Sequence, residues 1–522
     1  MQIPNNLGSL ESLQKRESKA FDEEAKWHDT LDDAYEYFLP QRNLFNREDK
    51  GQKKMDRIFD GTALQSIQSG ASKLQESIAP IWSRWATFEP SPQVLKLIEE
   101  SDGEVSEIEI RENLEKQAEI VFDVINRSNF GTQFYEFALD LLIGTGTLRL
   151  DEDDDADMPV IFSSVPQKGV AFEEGPHGTI ETHWRRFKVK ARNIERKWRG
   201  FKPSHALSEI IKSSPDTDVD LHEGLVYDPK EKIYWGVVWV GDEDHLSWVE
   251  SFEESSPWVT ARYAKTAGEV RGRGPALQVL PDVRSLNKAK EFSLTKAAID
   301  LSGIWTATDD GVTNPYNLRV SPGIVIPVGS NNTSNPSISR LDTSSDLQLS
   351  QFVMADLQNT IKQALFGDIR EPSDSVVSAT QFSIESRELA KRIGSAFGRL
   401  QTEALIPILK RVHWILKRRG LVDPITIGGV EVAIKFTSPL AKTQDAEDLL
   451  SIQQAVEFTM NSAGEDAVQL GFKLEDFGSY AGKKTGMPQE LLRNEAEKAE
   501  MAQAAQQVAQ QMQQGAPTDE PV

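Results

Sequence analysis

Residues 342–420 read DTSSDLQLSQFVMADLQNTIKQALFGDIREPSDSVVSATQFSIESRELAKRIGSAFGRLQTEALIPILKRVHWILKRRG. The spacing predicts a helix, a short breaker-rich loop and a very long second helix. Ser345-Asp-Leu-Gln348 is a capping-box pattern, in which a Ser oxygen covers one free N–H and Gln reaches back to another. Leu349, Phe352/Val353, Leu357, Ile361 and Leu365 then recur at helical spacing, and Gly367 ends the run. The loop that follows carries Pro372 and is polar, so it is expected at the surface. Ser378-Ala-Thr-Gln381 repeats the capping signature, and helical spacing runs from Phe382 to Ile415. A helix of about 40 residues would reach roughly 60 Å. Pro407 lies inside it, and its ring conflicts with the carbonyl of Glu403, so a kink is expected there. Gly394 and Gly398 share one face. They either admit another backbone or soften the helix. An ordinary buried helical hairpin fits the same pattern.

Working outward, two rods are expected, one over 276–301 and one over 345–366, with a β and loop insert (304–341) between them. Residues 1–80 read as helical, with a stripe from Leu10 to Phe38 closed by Pro40. A further helix covers 63–78, followed by Trp82 and Trp85 beside prolines, a core or interface pattern. Residues 105–143 continue helical and are punctuated at Asn129-Phe-Gly131. Gly144-Thr-Gly146 is a helix stop turning into a strand; it lacks the third glycine and following helix of a phosphate loop. Strands are expected at 160–162, 169–172, 179–184, 233–240, 247–250 and 258–262. After Gly420, residues 430–436 alternate as a strand, a helix leads to about Met460, and 496–514 carry a weak coiled-coil seam.

Composition narrows the chemistry. The chain has 522 residues, no cysteine and a net charge of −23. Disulfides and thiolate metal sites are therefore excluded. A strong DNA grip calls for concentrated positive charge, whereas a surface of phosphate's own sign lets DNA pass. No run of 18 apolar residues exists, so no membrane span is expected. Asp151 to Asp157 holds six carboxylates in seven residues without the spaced ligands and Gly of a calcium loop, and reads as a solvated loop. Thr182–Lys202 carries nine basic residues against one acidic. That stretch suits contact with DNA or an acidic partner, or a solvated strand leading into a surface helix. No His-Glu-x-x-His pair, nucleophile elbow or Gly-Lys-Ser/Thr loop is present, so no catalytic, cofactor or metal residues are nominated.

Several blocks together resemble one family. Phe59-Asp-Gly-Thr-Ala63, Ala71–Pro80 with Trp85, Phe137–Leu148, Arg271-Gly-Arg-Gly-Pro275, Leu280-Pro-Asp-Val-Arg-Ser-Leu-Asn287, Ser378–Arg387, Gly398–Pro407 and Phe436-Thr-Ser-Pro-Leu-Ala441 with Gln444 follow its order. The family is that of the portal (head-to-tail connector) proteins of T7-like short-tailed bacteriophages, the podovirus portals. Gln381 departs from the Glu expected there. The likeness is thin across 151–265 and 304–340. It implies an α+β ring subunit with a wing over 1–270 (helical 1–143, β-rich 144–270). It also implies a two-helix stem (271–303 and 344–367), a small α/β clip (304–343), a tunnel loop (368–378), a long kinked wing helix (379–420) and a helical crown (421–522). On this reading Ile369, Arg370, Glu371, Pro372, Ser373, Asp374 and Ser375 face DNA. Pro407, Gly394 and Gly398 form the helix kink, and Asn314, Pro315, Tyr316, Asn317, Asn331 and Asn332 of the clip dock the motor or adaptor.

The implied function is a non-enzymatic ring, usually of twelve copies, at one capsid vertex, through which double-stranded DNA is packaged, retained and ejected. Implied partners are the terminase large subunit, a tail adaptor, scaffolding and major capsid proteins, and internal core or ejection proteins. No cofactor is implied. The rival readings are an acidic metal-dependent hydrolase using 151–157, and a virion scaffold or adaptor without a channel.

Overall fold

A computed structural model describes residues 7–42, 55, 57–100, 107–153, 158–241, 243, 245–302, 305–307, 334, 338–340, 347–367, 392–394, 396–424, 426–427, 430–431, 433–437, 439–473, 477–478 and 480–482. The expected clip residues 314–317, 331 and 332, the tunnel loop 369–375 and the coiled-coil seam at 496–514 lie outside them.

The helical part begins with α1 (Leu10–Ala25), capped by Ser9, whose side chain accepts from the Ser12 N–H. α2 (His28–Phe38) follows after a break at Trp27. α3 (Thr62–Ile78), β1 (Ala86–Glu89), α4 (Pro92–Glu100), α5 (Glu107–Arg127) and α6 (Phe130–Ile143) complete it. α6 buries most of its length, from Phe134 and Phe137 to Leu142. Its neighbours supply Ile67, Leu74, Val121 and Ile125, so this helix is the axis of the largest core. Trp85 is buried in that core, edge-on to Phe122 with ring centroids 5.0 Å apart. Trp82, three residues earlier, is 76% exposed at a backbone φ of +64°. The tryptophan pair is thus split between core and surface.

At Gly144 the chain turns into β2 (Thr145–Glu152), which pairs with β3 (Val160–Ser164) on one side and later with β9 (Trp258–Arg262) on the other. Between them stands a five-stranded antiparallel sheet in the order β4 (Val170–Glu174), β5 (Ile180–Lys190), β6 (Asp218–Asp228), β7 (Ile233–Val240) and β8 (Trp248–Phe252). The short helices α7 (Ala191–Lys197) and α8 (His205–Ser213) connect β5 to β6. Both faces of the sheet are covered. Leu221, Leu225, Val238 and Trp248 pack with Trp198 and Leu207 on one side. Trp184, Val237 and Trp239 pack against Leu10 and Leu13 of α1 on the other. Strands buried on both faces read as apolar runs rather than clean alternation, as β7 does.

The central strand β6 was not among the expected strands. Its outward positions carry Asp218, Asp220 and His222, which disguise the alternating Val219, Leu221 and Leu225 as a polar connector. Two further departures concern the acidic run. Asp151 and Glu152 are strand residues of β2, not loop. Asp151 pairs with Arg149 at 2.7 Å, and Glu152 pairs with Arg418 and Arg419. Residues 154–157 lie outside the described residues.

α9 (Pro275–Ser302) is the first rod, and α10 (Leu347–Ala364) returns alongside it, with the Ser293 hydroxyl 4.0 Å from the Met354 sulfur. A short ladder, β10 (Trp305–Ala307) with β11 (Ile338–Arg340), closes the hairpin beyond the rods. Residues 396–400 are helical and run into a five-residue π-turn (Gln401–Leu405), and α11 (Ile406–Arg418) continues the rod. Further on lie the two-residue strands β12 (Thr426–Ile427) and β13 (Val430–Glu431), then β14 (Ala433–Phe436). The helices α12 (Pro439–Ala463) and α13 (Glu465–Gly471) follow. β14 pairs with β1, Ala86 opposite Phe436. No strand is expected from the sequence at 86–89, just before the breaker Glu89-Pro-Ser-Pro92, and the distant partner is what makes it one. Among the described residues, no helix is long and apolar enough to cross a membrane.

Candidate functional site, the junction of the rods and the kinked helix

Among the described residues, several of the sequence blocks that carry the resemblance are tied together by contacts between the rods, α3, α6 and the kinked helix. Asn287, on α9, accepts the Phe59 N–H at 2.7 Å and the Asp60 N–H at 3.3 Å, and donates to the Arg57 carbonyl at 2.8 Å. Asp60 in turn accepts the Thr62 N–H at 2.9 Å, covering a free donor at the start of α3. Its other oxygen accepts from Gln358 of α10 at 2.8 Å. One short segment, 57–62, therefore ties α3 and both rods. Burial works against the Asp60 carboxylate, and the hydrogen bonds from Thr62 and Gln358 outweigh it, holding its pKa below the usual range.

The end of α10 is held as tightly. A Cβ placed on Gly70 of α3 would run into the carbonyl oxygen of Leu365. Phe366 turns the chain at φ +59°, Gly367 N–H closes on the Lys362 carbonyl at 2.7 Å, and Lys73 donates to the Phe366 carbonyl at 3.0 Å. Glycine is needed at 70 because backbone approaches backbone there.

The glycine-rich turn 271–275 interlocks with the end of α6. A Cβ on Gly144 would strike the Gly272 carbonyl, one on Gly272 the Gly144 carbonyl, and one on Gly274 the Leu142 carbonyl. The Thr145 hydroxyl accepts the Gly272 N–H at 2.9 Å. Arg271 is buried and donates to Glu24, to the Gln167 side chain at 3.0 Å and to the Val170 carbonyl at 3.2 Å. Arg273 pairs with Glu269 at 2.6 Å and lies over the Trp27 ring. The turn joins α1, β4 and α9 at their roots.

The kinked helix is fastened by Glu403. Its carboxylate accepts the Arg262 backbone N–H at 3.0 Å and the Arg262 guanidinium at 2.6 Å, and Arg399 approaches to 3.1 Å. Arg262 is 1% exposed and also holds Glu174 and the Gly178 carbonyl. The π-turn places Glu403 in reach: the Ile406 N–H bonds the Gln401 carbonyl, five residues back. Pro407 has no N–H and would clash with an ordinary α-turn before it, so the wide turn relieves the conflict. Gly398 is helical with nothing within 4 Å of an added Cβ, and Gly394, at φ +31°, is equally open. Close approach of another backbone is therefore not their use within the described chain.

Four of the nine basic residues in the stretch 182–202 are paired with acids, two of them through the cross-strand register. Lys188 lies opposite Asp220 and Lys190 opposite Asp218, each pair 3.9 Å apart. Arg192 pairs with Asp216 at 2.8 Å and Arg186 with Glu17 at 2.9 Å. The solvated strand leading into a surface helix is the reading this geometry favours.

Sequence reasoning quoted Asn287, Asp60, Gly144, Gly272 and Glu403 within their blocks but did not pair them. Their partners lie far off along the chain, and only the shared order of the blocks signalled a common role. Arg262 was read only as the end of a strand. Among the described residues, no three His, Cys, Asp or Glu side chains are grouped to hold a metal.

Comparison with known proteins fits this framework. The family described as "Bacteriophage head to tail connecting protein" matches residues 10–492. The "Portal protein" of Salmonella phage epsilon15 is 23% identical, with 95% of this chain and 91% of that protein aligned. The "Probable portal protein" of Bordetella phage BPP-1 is 22% identical, with 83% and 80% covered. Among solved structures, a chain from the neck of an empty gene transfer agent particle aligns over 85% of this chain and 96% of its own, at 13% identity and a TM-score of 0.33. With the match spanning nearly the whole sequence, this chain belongs to the bacteriophage head-to-tail connecting protein family.

Proposed function

We propose that copies of this chain close into a portal ring at a capsid vertex, a conduit for double-stranded DNA between head and tail. The observation that carries this is the family match over residues 10–492. The finer T7-like assignment rests on the sequence blocks alone. α9 and α10 form the stem, 304–343 the clip and 368–378 the tunnel loop. The long helix beyond it transmits the loop's position to the wing through the Arg262–Glu403 clamp.

Two physical features support the reading. The rods leave Phe292 61% and Phe352 74% exposed, apolar side chains that a neighbouring copy would cover. The net charge of −23 disfavours adhesion of DNA along the wall. The ring does no chemistry in this reading; a terminase large subunit drives packaging, and a tail adaptor docks on the clip once the head is full. The hydrolase alternative loses support from Asp151 and Glu152, whose carboxylates are engaged by arginines.

Negative-stain microscopy with light scattering on the purified protein tests the proposal. Rings of about a dozen subunits with a central hole are expected. A monomer that stays monomeric with scaffolding and capsid proteins present would overturn it.

A further inference from the structure

A pocket of about 260 Å³ opens where the five-stranded sheet, β9 and the kinked helix meet. His183 of β5 lines it from the sheet, Trp258 and Thr260 from β9, and Glu403 and Pro407 from the π-turn and the start of α11. Ser255, in the loop before β9, completes this wall. The pocket has a dry floor and a wet mouth. His183, Ser255, Trp258 and Thr260 are buried, whereas Thr179, Glu254 and Thr402 line it from exposed positions.

The floor holds polar atoms that lack a mate. His183 is 3% exposed, and its Nε2 lies 3.0 Å from the Thr260 hydroxyl. Its Nδ1 is buried and has no hydrogen-bond partner among the described residues. The Phe172 and Trp258 rings flank the imidazole, each with its centroid 5.6 Å away. Burial pushes the imidazole pKa down to about 3, so the ring is neutral, with one N–H and one bare acceptor. Ser255 is 6% exposed, and its Oγ is likewise buried without a partner. The loop that delivers it is held in an uncommon shape. Glu254 sits at φ +60°, and the Ser255 N–H bonds the Glu253 carbonyl at 2.6 Å. A side chain at positive φ is costly and persists where its surroundings enforce it.

The charged groups in the wall are already engaged. Glu403 is taken up by Arg262 at 2.6 Å and Glu254 by Lys417 at 2.8 Å, and Lys410 is not free either. What lacks a partner is therefore neutral, one imidazole nitrogen and one hydroxyl. Buried polar groups of this kind call for a hydrogen-bond partner. A ligand hydroxyl both donates and accepts, so it satisfies His183 Nδ1 in either tautomer and Ser255 Oγ in either orientation. A ligand charge would be desolvated there without a counter-ion. Ile180, Trp258, Val259 and Pro407 ask for an apolar body beside that hydroxyl. A cavity of about 150 Å³ takes up benzene, so this pocket has room for one ring and its substituent.

We propose that the pocket binds a small neutral molecule of the phenol or aromatic-alcohol class, its hydroxyl bonded to His183 Nδ1 and Ser255 Oγ and its ring against Trp258 and Pro407. The site lies within one chain and does not depend on assembly of copies. Because Glu403 and Pro407 belong to its wall, the ligand would fill the space behind the π-turn. It would hold the kinked helix to β9 beside the Arg262–Glu403 clamp.

The test is a ligand-observed NMR titration of the full chain with phenol, and with toluene as the control that keeps the ring and lacks the hydroxyl. Saturable binding of one phenol per chain is expected, with toluene about tenfold weaker, the worth of one hydrogen bond. Ser255→Ala should weaken phenol about tenfold. It removes a buried hydroxyl that has no partner, so its melting temperature should not fall below that of the wild type. His183→Phe should abolish the preference for phenol over toluene. Phenol signals that never saturate, equal binding of phenol and toluene, or wild-type affinity in Ser255→Ala would each leave the pocket to water and overturn the site.

Discussion

The two ends of the helical hairpin differ in kind. Where α9 and α10 meet the body, Asn287 makes three backbone hydrogen bonds, Asp60 bridges to Gln358, and Gly70 sits against the Leu365 carbonyl. Further along the same rods, Phe292 and Phe352 stand in water. The rooted part has its polar groups matched within one chain, whereas the outer part exposes apolar side chains that a neighbouring copy would cover in the proposed ring. If the proposed ring forms, substitutions at the two ends should separate stability from assembly.

The largest loss is expected at the rooted end from Gly70→Ala. Helix propensity alone would favour alanine by about 1 kcal/mol. The added methyl meets the Leu365 backbone, which cannot swing aside as a side chain would, so a net destabilisation of about 3 kcal/mol is expected in denaturant melts. A neutral or stabilising result would show that α10 docks more loosely than drawn. Next comes Asn287→Ala, which strands the Phe59 and Asp60 N–H groups and should cost about 2 kcal/mol. If Asn287→Asp restores part of that loss and Asn287→Leu does not, the hydrogen bonds rather than the packing are responsible.

Acid should weaken the body before it affects the rods. Burial depresses His413, beside Gln117 at 3.1 Å, to about 4, and His183 to about 3. Both stay neutral in the folded chain while their unfolded counterparts take up protons below about 6.5. The stability they allow is therefore complete above that pH and is lost as pH falls toward 4, with a slope of about 1 kcal/mol per pH unit for each. His413→Gln should lower that slope by one proton between pH 6 and 4.5 in melts compared with wild type; an unchanged slope would remove His413 from the account. The smallest effect on the folded subunit is expected from Phe292→Ser with Phe352→Ser. Both side chains are exposed, so a change within about 0.5 kcal/mol is expected. Ring yield by light scattering should nevertheless fall. Normal rings with unchanged stability would assign those side chains to a different partner.

Much of the helical layout was legible because period and caps are local. The rods at 276–301 and 345–366 differ from α9 and α10 by only a residue or two at their described ends. The stop at Gly144 and the break at Asn129 are similarly local. What escaped depends on distance. β6 was hidden because its outward acids are the counter-charges of a basic strand some 30 residues earlier, and neither reads as a strand partner alone. The junction was visible as blocks but not as contacts: Asn287 to Phe59 spans 228 positions and Glu403 to Arg262 spans 141. The π-turn was foreseen only as a kink, since Pro407 announces a conflict without saying how the backbone resolves it. The tunnel-loop and clip assignments remain proposals drawn from the resemblance.

The ladder between β1 and β14 also sets a clock. Lys435 reaches Glu89 diagonally across the ladder at 3.1 Å, a pair separated by 346 positions of chain. At roughly 5–20 residues per second, a ribosome that has just released β1 needs about 20–70 s more to deliver its partner. During that interval the strand's edge has no mate, and Trp85, already within reach of Phe122 and Phe130, still lacks its stacking partner Phe436. The β1–β14 ladder of the helical body is therefore completed only when residues 433–436 emerge, and until then the β1 edge is open to pairing with other chains.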